Sequence, residues 1–511
     1  MIMKKILYPL FAAILMFSAC TTDFLEVEPT TTVPEETSYA TEYDITKALM
    51  AAYAPLIGLD YCDEEFHPYQ FISDILADDY NAVGGAGSGD LVHLQLMGVY
   101  NSNSQQSLIG LWTNLYRGIY RSNIVVNRTS AIEGMSDANK TRVINEARFL
   151  RAFYYHILWK FWGSVPYYTI NPNGADVDYI VPQLTEDEIY NKIMDDLDDV
   201  TKPGALPEAV AMNEVGRANI HTAYMLRAEV VMLKEDESRY GSVLNQLKET
   251  ITSNIYALTP KFEDIWADAN EWNCESIFEI NYADDPSNRS WEDPLAPGGT
   301  IYPVFIGPDA YKGTRFHTEG YGFGPVSPAL KEAYEPGDLR RDASIMDFNT
   351  DAESGEKYNP REGNTGMFNR KYMGRAGGSE NNAAGVYDMG HRNNLRIYRY
   401  SDVLLRAAEL IVRTQGEQTE ADSYLHQVRA RAFGVTVEDL GSRAKTATLD
   451  NILEERRKEF AMEGHRFFDL VRFGKADEVL GAKGYTASKR YIPIPQSEID
   501  KAEGTLKQNN Y

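Results

Sequence analysis

The chain has 511 residues, of which 43% are hydrophobic, 24% charged and 12% aromatic, a composition with enough apolar side chain for a large buried core. Its formal charge of −25, with no concentrated basic stretch, excludes nucleic acid as a partner, since phosphate binding needs a cationic face. The same charge argues against the body lying flat on anionic lipid. Tyrosine is frequent, at 33 copies beside 6 tryptophans, and these side chains pair a flat apolar face with a polar edge.

Lys4 and Lys5 precede an apolar run from Ile6 to Phe17, and Phe17-Ser18-Ala19-Cys20 closes it. The run is about half the length that spans a bilayer, so residues 1–19 read as a cleaved lipoprotein signal peptide. Cys20 is then the lipidation site, and loss of the two lysines takes the charge to −27. Residues 20–37 follow as a lipidated tether; Thr21 to Thr37 hold two prolines, six threonines and five acidic residues with no apolar period.

Helical periodicity then dominates. It predicts helices over 41–57, 111–126 and 137–161, the last ending at Gly163 and Pro166. Further helices are expected at 185–200, 213–234, 238–251, 400–414, 418–433 and 448–464, with 213–251 and 400–433 folding back as helical hairpins. Gly216, Ala218, Ala223 and Ala228 allow close helix approach, in the manner of tetratricopeptide packing. The fold class expected is mainly α, a helix-pair scaffold with long irregular loops. It divides as 38–280, an N-terminal helical region; 281–397, a loop-rich ligand-binding region; and 398–511, a C-terminal helical region, all packed as one body.

Residues 77–110 and 281–397 are rich in Gly, Pro, Asn and Tyr and lack periodicity, and long loops on a rigid scaffold are where binding resides. The candidate ligand-binding residues are therefore loop aromatics: Trp291, Tyr302, Tyr311 and Tyr321, with Tyr80 and Tyr100 from the earlier loop. Phe316 and Phe323 share the same texture. Such rings beside Asn, Asp, Arg or Gln suit a sugar, whose face carries C–H groups and whose edge carries hydroxyls.

Catalytic and metal signals are weak. The eight histidines are all more than ten residues apart, and GGAGSG at 84–89 lacks the Lys-Ser/Thr of a phosphate loop. Glu455, Glu459 and Glu463 recur every four residues among arginines. They are expected to form a salt-bridged lock on a helix end, because paired arginines keep carboxyls too acidic for a general acid. Asp74, Asp78 and Asp79 lack calcium-loop spacing and are expected to be solvated or capping. Cys62 and Cys274 remain after Cys20, either bridged or as two free thiols.

The motifs resemble those of the SusD/RagB outer-membrane lipoproteins of Bacteroidetes along the whole chain. They are Cys20 with FLEVEP at 24–29, LWTNLYRGIYRSN at 111–123, NEARFLRAFYYHILWKFWGSVPY at 145–167, NEVGRANIHTAYMLRAEVVM at 213–232 and ESIFEI at 275–280. RYSDVLLRAAEL at 399–410, ILEERRKEFAMEGHRFFDLVRFG at 452–474 and YIPIPQSEI at 491–499 complete the order. Glu26 stands where an aspartate is frequent, and Gly216 where alanine is usual. The resemblance implies four tetratricopeptide-like helix pairs, no catalysis and no cofactor. It also implies a TonB-dependent outer-membrane transporter as partner, with this protein lipid-anchored at the cell surface to capture oligosaccharides, or in some branches peptides. A surface glycosidase is the remaining alternative. The family's binding aromatics lie in variable loops, so none is transferred to a position here.

Overall fold

The first helix among the described residues, α1 (Glu42–Tyr53), starts at Thr41, whose hydroxyl accepts from the Asp44 amide at 3.2 Å while the Asp44 carboxylate accepts from the Thr41 amide. This reciprocal cap satisfies two amides that the helix itself leaves open. The computed structural model describes residues 39–84, 89–171, 180–283, 288–311, 320–350, 356–375 and 386–511. Cys20, the tether, Phe316 and most of GGAGSG lie outside the described residues.

After α1, a two-stranded hairpin pairs β1 (Tyr61–Cys62) with β2 (Glu65–Phe66), and short helices α2 (Tyr69–Ile75) and α3 (Val92–Gly98) follow. The scaffold proper is α4 (Ile109–Arg128), α5 (Asp137–Trp162), α6 (Glu186–Val200), α7 (Ile220–Lys234) and α8 (Tyr240–Thr252). It resumes after the loop region with α10 (Tyr400–Arg413), α11 (Gln418–Phe433), α12 (Leu449–Glu459) and α13 (Arg466–Arg472), the short α9 (Tyr302–Ile306) lying within the loops. Helix packs on helix in the pairs α1/α4, α5/α6, α7/α8 and α10/α11, with α4 against α5 and α8 against α10 joining the pairs. This is the expected helix-pair scaffold.

Helix α5 is the spine. Ser136 caps its start by accepting from the Asn139 amide at 3.2 Å, and Gly163 ends it at φ 71°. Between them Phe149, Leu150, Phe153, Tyr154, Ile157, Leu158 and Phe161 are buried, so the helix has core on most sides. Phe278 meets Phe149 and Phe153 at ring separations of 5.7 and 6.0 Å, and so brings a strand onto the spine. That strand, β3 (Ser276–Ile280), pairs antiparallel with β6 (Leu395–Arg399). The irregular stretch between them therefore leaves and re-enters the body at one two-stranded clasp. A second small sheet inside it pairs β4 (Ile345–Asp347) with β5 (Met367–Asn369).

Three expectations change. The helix expected over 448–464 stops at Glu459, because Met462 and Gly464 adopt φ of 61° and 82°, and α13 starts afresh at Arg466. The helix expected from 213 begins at Ile220. Gly216 lies before it at φ 95°, where a Cβ would come 2.5 Å from Asn281 Nδ2, so it serves a turn and not a helix contact. The acidic group is paired and not solvated: Asp79 bonds Arg457 Nε at 3.0 Å, Asp78 bonds Arg466 at 2.9 Å, and buried Asp74 accepts from the Gly464 amide at 3.0 Å. All three tie α2 and the residues after it to α12, α13 and the turn between them.

Candidate ligand-binding site

The hairpin Tyr61–Phe66 turns through Asp63 and Glu64, both left-handed at φ 50° and 61°. Two-residue hairpins need this geometry; Asp commonly supplies it at the first position, but Glu64 stands where Gly is usual and holds strain of about 1–2 kcal/mol. Arg117 of α4 clasps Asp63 at 3.0 and 3.1 Å and donates to Cys62 Sγ at 3.1 Å. Burial pushes the Cys62 thiol up to about 11. Cys62 and Cys274 are both free thiols. Leu91, at φ 45°, opens α3 beside this hairpin, and His93 Nε2 bonds the Phe66 carbonyl oxygen at 3.1 Å. Strained residues that the fold holds in place concentrate at functional surfaces.

A buried ion pair anchors the loop that faces the hairpin. Arg289, fully buried, bonds Asp60 through Nη1 at 3.0 Å and Nη2 at 2.5 Å. It also donates to the carbonyls of Tyr61, Pro294 and Gly299. Asp60 further accepts from the Thr300 hydroxyl at 2.6 Å and the Ile301 amide at 3.0 Å. Burial alone lowers a guanidinium's affinity for its proton, but the Asp60 carboxylate outweighs it and holds Arg289 above its ordinary value. The pair fixes residues 289–301 against the base of the hairpin and sets Trp291 edge-on to Tyr61 at 5.0 Å.

The third wall comes from residues 321–323, which bond the carbonyls of Val304, Gly307 and Phe305 beside α9. Phe323 stacks on Phe305 at 4.7 Å and 14°. Phe305 meets Phe66 at 5.9 Å, and Phe66 meets Trp291 at 6.0 Å and Tyr321 at 6.4 Å. A continuous aromatic run thus climbs from the core to an open cavity of about 520 Å³. Tyr61, Phe66, Trp291 and Tyr321 form its apolar wall, with Glu64, Asp90, Leu91, Phe323 and Arg361 completing it. The Tyr321 hydroxyl donates to Asp388 at 2.9 Å, and burial with that carboxylate keeps the phenol protonated above its usual range. Crossing close behind, Gly84 at φ 132° would place a Cβ 2.2 Å from the Gly322 carbonyl oxygen, so only glycine fits there.

Of the six candidate aromatics, Trp291 and Tyr321 share this cavity. The other four are buried supports. Tyr80 packs on Phe71 at 5.4 Å, and Tyr302 on Tyr372 at 5.4 Å. Tyr100 donates to the Leu76 carbonyl and packs on Tyr485 at 5.2 Å, while Tyr311 donates to Glu356 and packs on Phe348 at 5.8 Å. Tyr61, Phe66, Glu64, Asp90 and Arg361 were not among the sequence candidates. The signal for the first three was the stretch Tyr-Cys-Asp-Glu-Glu-Phe, two aromatics flanking a polar turn without glycine.

A larger cavity of about 1030 Å³ lies between residues 256–263 and the end of α11. Its floor belongs to the buried charge network, and it holds none of the loop aromatics, so volume alone does not mark the site. That network absorbs the candidate acids. Glu459 meets Arg431 at 2.5 Å, Arg399 at 3.0 Å and Arg340 at 3.1 Å; Glu463 meets Lys371 at 2.7 Å and Arg399 at 2.8 Å; Glu455 meets Arg429 at 2.5 Å and Arg340 at 2.7 Å. Burial pushes these carboxyls up, but the cations prevail and hold all three below the usual range. They form the expected lock, not an acid and base pair. Among the described residues no cluster of His, Cys, Asp and Glu is placed to hold a metal ion, and no helix is long and apolar enough to cross a membrane.

Comparison with known proteins agrees with this architecture. A family profile described as "SusD family" matches residues 274–490, and one described as "Starch-binding associating with outer membrane" matches residues 23–232. The chain is 39% identical to surface glycan-binding protein A from Bacteroides thetaiotaomicron, solved in complex with laminarihexaose, with a TM-score of 0.84 over 92% of this chain and 100% of that one. Surface glycan-binding protein A from Bacteroides fluxus is 36% identical, with a TM-score of 0.84 over 92% and 99% of the two chains. SusD-like protein P25 of Formosa agariphila is 26% identical over 93% of each chain. The chain belongs to the SusD/RagB family of outer-membrane-associated proteins, which bind and do not catalyse.

Proposed function

We propose that this protein captures oligosaccharides at the cell surface on the wall formed by Tyr61, Phe66, Trp291 and Tyr321, and delivers them to a TonB-dependent outer-membrane transporter. The observation that carries this reading is the aromatic run ending in an open cavity, with the Asp60–Arg289 pair holding the Trp291 loop against the hairpin. Rings of Trp291 and Tyr321 would meet the C–H faces of sugars, with Glu64, Asp90 and Arg361 reaching their hydroxyls. Tyr80, Tyr100, Tyr302 and Tyr311 would act beneath the wall, holding its supports in place. Support for glycan as the ligand comes from the relative solved with laminarihexaose.

Each polar contact replaces one with water, so a single sugar gains little and longer chains gain by filling adjacent subsites. The proposal includes a lipid on Cys20, with residues 20–37 as tether, and residues 281–397 as the ligand-bearing region. Calorimetry of residues 21–511 with laminari-oligosaccharides of increasing length, then a wider glycan panel, tests it. Affinity that rises with chain length supports the reading. A blank across glycans, with binding to a peptide library, replaces it with peptide capture.

A further inference from the structure

We infer that the cavity selects uncharged saccharides and rejects glycans that carry carboxylate or sulfate groups, because Glu64 and Asp90 line it beside the aromatic wall. The inference rests on the oligosaccharide reading of the same site.

Glu64 stands exposed at the hairpin tip, and Asp90 lines the cavity beside Leu91. Asp388 accepts from the Tyr321 hydroxyl at 2.9 Å, which sets a carboxylate at the polar end of that ring. Glu292 follows Trp291 in the chain and is exposed. Glu64 lines the cavity with Tyr61, and burial, then Glu64, Cys62 and Glu292, hold the Tyr61 phenol above its ordinary value against the opposing Arg289. The cation among the described lining residues, Arg361, forms an ion pair with Asp309 at 3.1 Å. Its charge is thereby matched before any ligand arrives.

A sugar hydroxyl uses such a rim well, since carboxylates are strong acceptors for O–H donors. A ligand anion meets repulsion instead. At an effective dielectric near 40, each carboxylate within about 7 Å weakens an anion by about five- to tenfold. The overall charge of −25 extends this repulsion beyond the cavity.

The test compares one backbone in two charge states. Neutral laminarihexaose and its C6-oxidised form, with carboxylate in place of hydroxymethyl, are titrated into the same protein at low and high salt. The oxidised form should bind at least about tenfold more weakly at low salt, and the gap should narrow at high salt as the repulsion is screened. Combining Glu64→Gln with Glu292→Gln should narrow the gap at low salt by about threefold or more, which a purely steric penalty would not do. Equal or tighter binding of the oxidised form overturns the inference, as does a gap indifferent to both salt and the double substitution. If carboxylated or sulfated glycans bind and neutral ones do not, the inference fails while the oligosaccharide reading stands. If a full panel of both kinds is blank, the oligosaccharide reading fails and takes the inference with it.

Discussion

Breaking the Asp60–Arg289 pair should dismantle the candidate site while leaving the helical scaffold standing. In Asp60→Ala the fully buried Arg289 guanidinium loses both of its contacts to that carboxylate, at 3.0 and 2.5 Å. Thr300 and the Ile301 amide lose their acceptor as well. Removing one partner of a buried pair costs about 3–5 kcal/mol, most of it from the stranded charge. Local opening of residues 289–301 should then become more frequent by about a hundred- to several thousandfold. Hydrogen exchange at the Ile301 and Tyr302 amides reads that opening directly, and calorimetry with an oligosaccharide reads its consequence. The cost is the stranded charge and not lost volume, so combining Asp60→Leu with Arg289→Met should recover much of the protection. Unchanged protection and affinity in Asp60→Ala would refute the hub as the device that positions Trp291.

Glu64→Gly should raise the melting temperature, since it relieves a left-handed non-glycine in the hairpin turn worth about 1 kcal/mol. Gly118→Ala should lower stability by about 1–3 kcal/mol, because the added Cβ falls 2.4 Å from the Tyr154 ring, whose hydroxyl is tied to the Ala52 carbonyl at 2.7 Å; chemical denaturation measures it. Glu455, Glu459 and Glu463 have folded values depressed by their arginines and lysines, and Asp469 is held at about 2 by Arg456 and Arg472 against burial. Their contribution is therefore full above the ordinary carboxylate range and is lost as pH falls through the depressed values; melting curves should hold at pH 5 and drop steeply toward pH 2. Glu271 behaves oppositely, because burial pushes it up to about 8, and Glu271→Gln should stabilise more at pH 9 than at pH 5.

The scaffold was legible because helices advertise themselves in periodicity and caps. Helix α5 runs from Asp137 to Trp162, one residue past the expected end, and stops at the glycine that marked it. The break after Glu459 was hidden because Met462, a residue with no turn signature, takes the left-handed conformation. Of the candidate aromatics all but Tyr302 lie outside helices, but texture does not say which way a ring points. Tyr302 lies on a short helix whose residues are all buried, while Trp291, in similar sequence, is brought to the cavity by an arginine two residues earlier. The partner of that arginine is Asp60, 229 positions away, and no local pattern carries a contact of that range. The hairpin was missed because its turn is Asp-Glu, and its strain is visible only in the backbone angles.

The most direct measurement is a calorimetric titration of laminari-oligosaccharides into the wild-type body and into Trp291→Ala. The account predicts affinity that grows with chain length and falls at least about tenfold in the variant, or about 1.4 kcal/mol. Wild-type affinity preserved in a folded Trp291→Ala would contradict it, and so would affinity indifferent to chain length.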